Sequence, residues 1–136
     1  MSADYPSMTT AEIRSKFLNF FEERGLKLYP SSSLVPDDPS LLLANAGMNQ
    51  FKEYYQGKKT MKEIGAISCQ KCVRTNDIDC IGEDGRHLSF FEMLGDFSFG
   101  GVSKQQACAW AFELITKEFK LPLDRLYFTV FTEDDE

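Results

Sequence analysis

The stretch from Ile64 to Gly101, IGAISCQKCVRTNDIDCIGEDGRHLSFFEMLGDFSFGG, constrains the fold of this chain more than any other. It starts apolar and β-branched, passes through Asn76, Asp77, Asp79, Gly82, Asp84 and Gly85, and turns aromatic again between His87 and Leu94. Two strand-forming runs flanking a Gly/Asp/Asn cluster predict a β-hairpin with a long loop. Arg74 stands where the first strand opens into that loop, and the returning strand carries Phe90 and Phe91 side by side. A guanidinium beside aromatic faces suits a ligand with both a phosphate and a flat base. The bland alternative for Arg74 is a surface ion pair with Asp77 or Asp79. Adjacent strand residues point to opposite faces, so one ring of the Phe90–Phe91 pair is expected in the core. The other is open to be core for a second layer or a platform for a flat ring.

The remaining segments look like support for this hairpin. Thr9-Thr10-Ala11-Glu12 fits a capping box, and Ile13, Phe17, Leu18, Phe20 and Phe21 follow at helical spacing up to a stop at Gly25. Leu26 to Tyr29 is a short extended piece, and Pro30, Pro36 and Pro39 keep the next stretch out of helix. Leu41 to Ala44 is expected to be a buried strand that feeds Asn45-Ala46-Gly47-Met48. A short helix through Phe51, Tyr54 and Tyr55 then stops at Gly57, and 58–62 is a solvated loop. After Gly100-Gly101, Ser103 and Gln106 form a second capping box. Ala107, Trp110, Ala111, Leu114, Ile115 and Phe119 make the buried face of a long helix ahead of Pro122. Leu126 to Phe131 alternates as a last strand. Helix, strand, short helix, hairpin, helix and strand without βαβ regularity predict an α+β fold with a mainly antiparallel sheet flanked by helices.

Composition closes off several functions. A chain of 136 residues with twelve Phe is one domain with enough apolar mass for a core. No run is long and apolar enough for a membrane span, and MSADYPSM lacks a signal-peptide core. Four cysteines without a secretion signal predict reduced thiols and a cytoplasmic protein. A net charge of −6 argues against a broad phosphate-neutralising surface, although Lys71, Arg74 and Arg86 can form a local basic site. Cys69, Cys72, Cys80 and His87 supply enough ligands for a tetrahedral zinc site, predicting a metal-binding adaptor. Against it, Cys69 and Cys72 lie within a strand, where buried cysteine is a common small hydrophobe. Cys108, on the long helix, is expected to pack. His87 is the only histidine, suited to a general base, a phosphate ligand or a structural hydrogen bond.

Thr10 to Arg14 with Phe17 and Phe20-Phe21, SSSLVPDDPSLLLANAGMNQFK at 31–52, CQKCVRTNDID at 69–79 and RHLSFFEMLGDFSFG at 86–100 together resemble the start of the alanyl-tRNA synthetase family. The resemblance runs from Thr9 to the last residue and implies part of a class II synthetase catalytic fold. It places motif 1 on the first helix and the Ser31–Met48 region, and motif 2 on the hairpin. Arg74 then contacts the ATP α-phosphate and the alanine carboxylate, Met48 lies near the aminoacyl pocket, and Phe90 or Phe91 stacks on adenine. His87 is assigned to ATP as well, although Leu88 stands where many relatives carry a histidine. Residues 1–8 would be a disordered extension, and 9–136 the motif 1 and 2 portion, ending before motif 3. Implied partners are ATP with Mg2+ as substrate, alanine and tRNA, with no membrane. Zinc would belong to an editing domain outside this chain, with none here. The chain alone is expected to be inactive and open to self-association through an unfinished sheet. The alternative is a stand-alone synthetase-like paralogue acting as a binding or regulatory module.

Overall fold

The computed structural model describes residues 7–133, so most of the extension expected at 1–8, and the last three residues of the 9–136 portion, lie outside it. Helix α1 spans Thr10–Glu22 and begins as its sequence requires. The Thr9 hydroxyl accepts from Glu12 N–H at 3.2 Å, while Glu12 Oε2 accepts from Thr9 N–H at 2.7 Å. It ends with Gly25 N–H donating to Glu22 O and Leu26 N–H donating to Phe21 O, a reversal that needs the left-handed φ of +87° at Gly25. The turn lays Leu26 beside the buried Phe17, Phe20 and Phe21.

Strand β1, Lys27–Leu28, pairs in parallel with β2, Gly65–Val73, at Ala66 and Ile67. β2 pairs antiparallel with β3, Phe90–Ser98, in an unbroken register from Gly65 opposite Ser98 to Val73 opposite Phe90. The sheet order is β1-β2-β3, antiparallel apart from the two-residue parallel pair, and the α+β class is as expected.

Strand alternation gives the sheet two unlike faces. Ile67 and Leu94 face α1 and join Phe17, Phe20, Phe21, Leu26 and Leu114 in the apolar core, with Trp110 and Phe119 packed at its edge. Arg14 Nη2 on α1 clamps Glu92 Oε2 on β3 at 2.6 Å at the margin of this core. The opposite face carries Ala66, Ser68, Gln70 and Cys72 on β2 across from Phe97, Gly95, Met93 and Phe91 on β3. A 3₁₀ turn at Gly47–Phe51 and the single-turn helix α2, Lys52–Tyr55, cover it. Their anchor is Phe51, 1% exposed, whose ring centroid lies 4.8 Å from that of Phe97 and 5.4 Å from that of Tyr29.

Several expectations are corrected. Leu41 to Ala44 is a series of bends, and only Ala44 is buried; Leu42 is 83% exposed. Asp38 captures Ser40 N–H and Lys52 Nζ, and that local turn wins over the apolar run. The long helix is α3, Lys104–Glu113, capped by Ser103 and Gln106 and continued by a wide π turn at Leu114–Glu118. Its buried face shrinks to Leu114 with the half-buried Trp110, Ile115 and Phe119, while Ala107, Cys108 and Ala111 are exposed. Leu126 to Phe131 forms no strand and pairs with none among the described residues, and Tyr127 is 92% exposed. Alternation makes a strand only when an edge supplies its hydrogen-bond partners. Finally, neither Phe90 nor Phe91 is in the core, because the hairpin's open end extends past both covering layers.

Candidate functional site

The candidate site is built where β2 opens. Arg74 N–H donates to Ser89 O at 2.9 Å, which prolongs the ladder by one residue and aims the side chain onto the face of Cys72 and Phe91. The guanidinium carbon lies 5.2 Å from the Phe91 ring centroid, within cation–π range. Its Nε donates to Asn45 O at 3.1 Å. A guanidinium held by a ring on one side and a carbonyl at Nε has its plane fixed, a requirement for fork-like recognition of phosphate or carboxylate.

Asn45 is itself held. Val73 N–H donates to Ala44 O at 2.9 Å, and Asn49 Nδ2 donates to Asn45 Oδ1 at 3.0 Å. The 3₁₀ turn that follows sits close to the sheet because residue 47 is glycine. A Cβ there would lie 3.3 Å from the Phe97 ring, and Gly47 N–H donates to Met93 Sδ at 3.1 Å. Met48 is carried at this turn with 46% of its surface exposed. Arg74, Phe91, Asn45 and the Met48 turn thus share one open face.

Phe90 does not join them. It points to the α1 side, 53% exposed, and Phe91 is the ring beside Arg74. His87 belongs to the loop: its Nδ1 lies 2.6 Å from Asp84 Oδ2, and Asp84 Oδ1 accepts from Arg86 N–H and His87 N–H at 2.8 and 3.0 Å. Those backbone donors, with the imidazole, pull the Asp84 carboxyl down to about 2. Alternation also places Lys71 opposite Glu92, on the face away from Arg74, so the local basic site does not gather Lys71.

The cysteine set disperses for the same reason. Cys69 faces α1 beside Arg14 and Glu92, Cys72 is buried on the other face, and Cys80 is exposed in the loop. Burial pushes both strand thiols up, which leaves them poor metal ligands. Among the described residues no three His, Cys, Asp or Glu side chains are grouped to hold a metal ion. Two clefts lie elsewhere. One of about 550 Å³ runs between Ser32, Asp38 and Lys52, and one of about 400 Å³ between Tyr54, Tyr55 and Phe99.

Asn45, Met93 and Gln70 are participants that sequence reasoning did not single out. Met93 was reachable, since alternation from Phe91 puts it on the same face; Asn45 acts through its backbone carbonyl and leaves no side-chain signal.

Residues 12–136 match the family model described as tRNA synthetases class II (A). The alanine–tRNA ligase of Synechocystis sp. is 52% identical over all 136 residues, which cover 16% of that protein. The chloroplastic/mitochondrial alanine–tRNA ligase of Sorghum bicolor is 55% identical over 124 residues, 91% of this chain and 13% of that one. The Pseudothermotoga lettingae ligase is 52% identical over 129 residues, 95% of this chain and 15% of the relative. The chain spans about a sixth or less of the length of these curated relatives.

Proposed function

The chain belongs to the class II tRNA synthetases, and from that premise we propose that it carries the motif 1 and motif 2 part of a site that activates alanine with ATP. Arg74 is the catalytic residue of this part. An alanine carboxylate oxygen attacks the α-phosphorus, the bond from phosphorus to the bridging oxygen breaks, and pyrophosphate leaves with the electron pair. Negative charge builds on the α-phosphoryl oxygens during that exchange, and a guanidinium already fixed in plane stabilises it without reorganising. No covalent enzyme intermediate is required; positioning and charge do the catalysis. In the second step a ribose hydroxyl of the tRNA takes the alanyl group and AMP leaves.

The single observation that carries this assignment is the pinning of Arg74 between the Phe91 ring and the Asn45 carbonyl. Phe91 serves adenine rather than Phe90, Met48 borders the alanine side chain, and His87 acts only through the loop that it holds with Asp84. Mg2+ arrives with ATP as substrate. Alanine, ATP and tRNA are the partners, and the location is cytoplasmic; relatives carrying chloroplastic/mitochondrial names set the alternative. No helix among the described residues is long and apolar enough to cross a membrane. For the 136-residue chain alone, negligible alanine-dependent pyrophosphate exchange is expected.

Calorimetric titration with MgATP tests the assignment. Arg74→Ala should weaken binding by about tenfold or more, the scale of a charge-assisted hydrogen bond to a phosphate. Equal binding by the wild type and Arg74→Ala would remove Arg74 from the site.

A further inference from the structure

We propose that Gln70 is the positioning residue of the Arg74 site, holding the Gly47–Phe51 turn against the sheet so that the Asn45 carbonyl meets Arg74. The proposal rests on the assignment above for what Arg74 does, but not for where Arg74 is held. Gln70 is 1% exposed, and its amide is saturated. Oε1 accepts from Ser32 N–H at 2.8 Å, Ser32 Oγ at 3.1 Å and Gln50 Nε2 at 3.1 Å. Nε2 donates to Ser32 O at 3.2 Å and Lys71 O at 2.8 Å. One side chain therefore ties together β2, the Ser31–Ser32 stretch and the 3₁₀ turn. A buried amide with every group satisfied specifies one arrangement, because any displacement strands donors and acceptors away from water.

Its place on the sheet gives it reach. Gln70 is opposite Met93 in the β2–β3 register, one same-face step below the Cys72–Phe91 pair over which Arg74 lies. The cross-strand pair grips the turn at two points, Gln70 through Gln50 and Met93 through Gly47 N–H. The Val73–Ala44 backbone bond fixes the chain just before Asn45, and the Gln70 grip fixes it just after. With both ends set, the Asn45 carbonyl has one direction, toward Arg74 Nε. Gln70 contacts no substrate in this scheme; it acts through the turn.

The Arg74 Nε–H proton reports on this directly. In 1H–15N spectra of the whole chain it should exchange slowly in the wild type, its assignment set by its disappearance in Arg74→Lys. Gln70→Met keeps the length and removes all five hydrogen bonds, and Gln50→Met cuts the link between Gln70 and the turn together with the longer 3.4 Å bond from Gln50 Nε2 to Pro30 O. Both should speed exchange of Arg74 Nε–H by about tenfold, as a local opening. The α1 amides and the Trp110 indole N–H should keep wild-type rates. Ser32→Ala, which leaves the Gln50 link, should not move Arg74. The proposal is overturned if Arg74 Nε–H is unmoved in Gln50→Met, or if it speeds only in step with the α1 amides, as a general loss of structure would give. Should Gln70→Met fail to fold, Gln50→Met decides alone. The readout needs no ligand, so a chain that fails to bind ATP would sink the proposed function and leave this result standing.

Discussion

The two faces of the β2–β3 hairpin are closed by different means. Toward α1 the packed cluster is apolar: three phenylalanines, Leu26 and Leu114 over Ile67, with the Arg14–Glu92 and Arg24–Glu113 ion pairs at its margin. On the other face the contact is graded. It is aromatic at the base, where Phe51 meets Phe97, becomes an amide and a thioether at Gln70 and Met93, and opens at Arg74 and Phe91. Burial of hydrocarbon is strong and indifferent to direction, so the α1 face sets stability. Hydrogen bonds contribute less but fix orientation, so the graded face is where a guanidinium can be aimed. The proposed site occupies the end of the sheet where hydrogen bonds have replaced packing.

The largest effect that would break this contrast is on the α1 side. Phe21→Ala should lose about 3 to 5 kcal/mol in urea unfolding, the usual result for a buried phenylalanine. A loss below about 1 kcal/mol would mean that this face does not carry the fold. Next comes Gly95→Ala, at the level of the graded face where the Phe97 ring folds over the strand. A Cβ there would sit 2.6 Å from the ring. Overpacking of that kind should destabilise by about 1 to 3 kcal/mol. It should also shift the Phe51 and Met93 side-chain resonances while those of Phe17 stay put; a shift spread evenly over both faces would erase the distinction.

The smallest effect concerns the loop that caps the open end. Asp84 is depressed to about 2 in the folded chain by the amides of Arg86 and His87. A depressed carboxyl contributes stability that is complete above its unfolded value, about 4, and is lost as pH falls through the folded value. The Arg86 and His87 amide shifts should therefore hold steady down to about pH 4 and titrate together toward 2, with little change in α1. Titration at the ordinary carboxylate value would show that the loop is not tied in this way.

How far the sequence foretells these features follows the same division. The capping boxes at Thr9 and Ser103 and the Gly25 reversal are local, each settled within a few residues, the hairpin joins two consecutive strands across one loop, and all stand in the structure. The resemblance to alanyl-tRNA synthetases is likewise legible in unbroken blocks, and the class II match spans residues 12–136. Features that depend on a partner are not. Leu126 to Phe131 has the pattern of a strand but pairs with none among the described residues, and Leu41 to Ala44 has an apolar run that Asp38 turns into bends. Which of Phe90 and Phe91 shares the face of Arg74 needed the register, since alternation says only that they differ. The Asn45 carbonyl and the Gln70 grip join segments about twenty to forty residues apart and leave no periodic trace.

The central claim is that the working face is the one shared by Arg74 and Phe91. MgATP titration of the wild type beside Phe91→Ala and Phe90→Ala tests it most directly. Phe91→Ala should weaken binding by about tenfold, the loss of one ring under a base and a guanidinium, and Phe90→Ala should bind as the wild type does. Loss of binding in Phe90→Ala with Phe91→Ala unaffected would put the nucleotide on the α1 side of the hairpin and contradict the account.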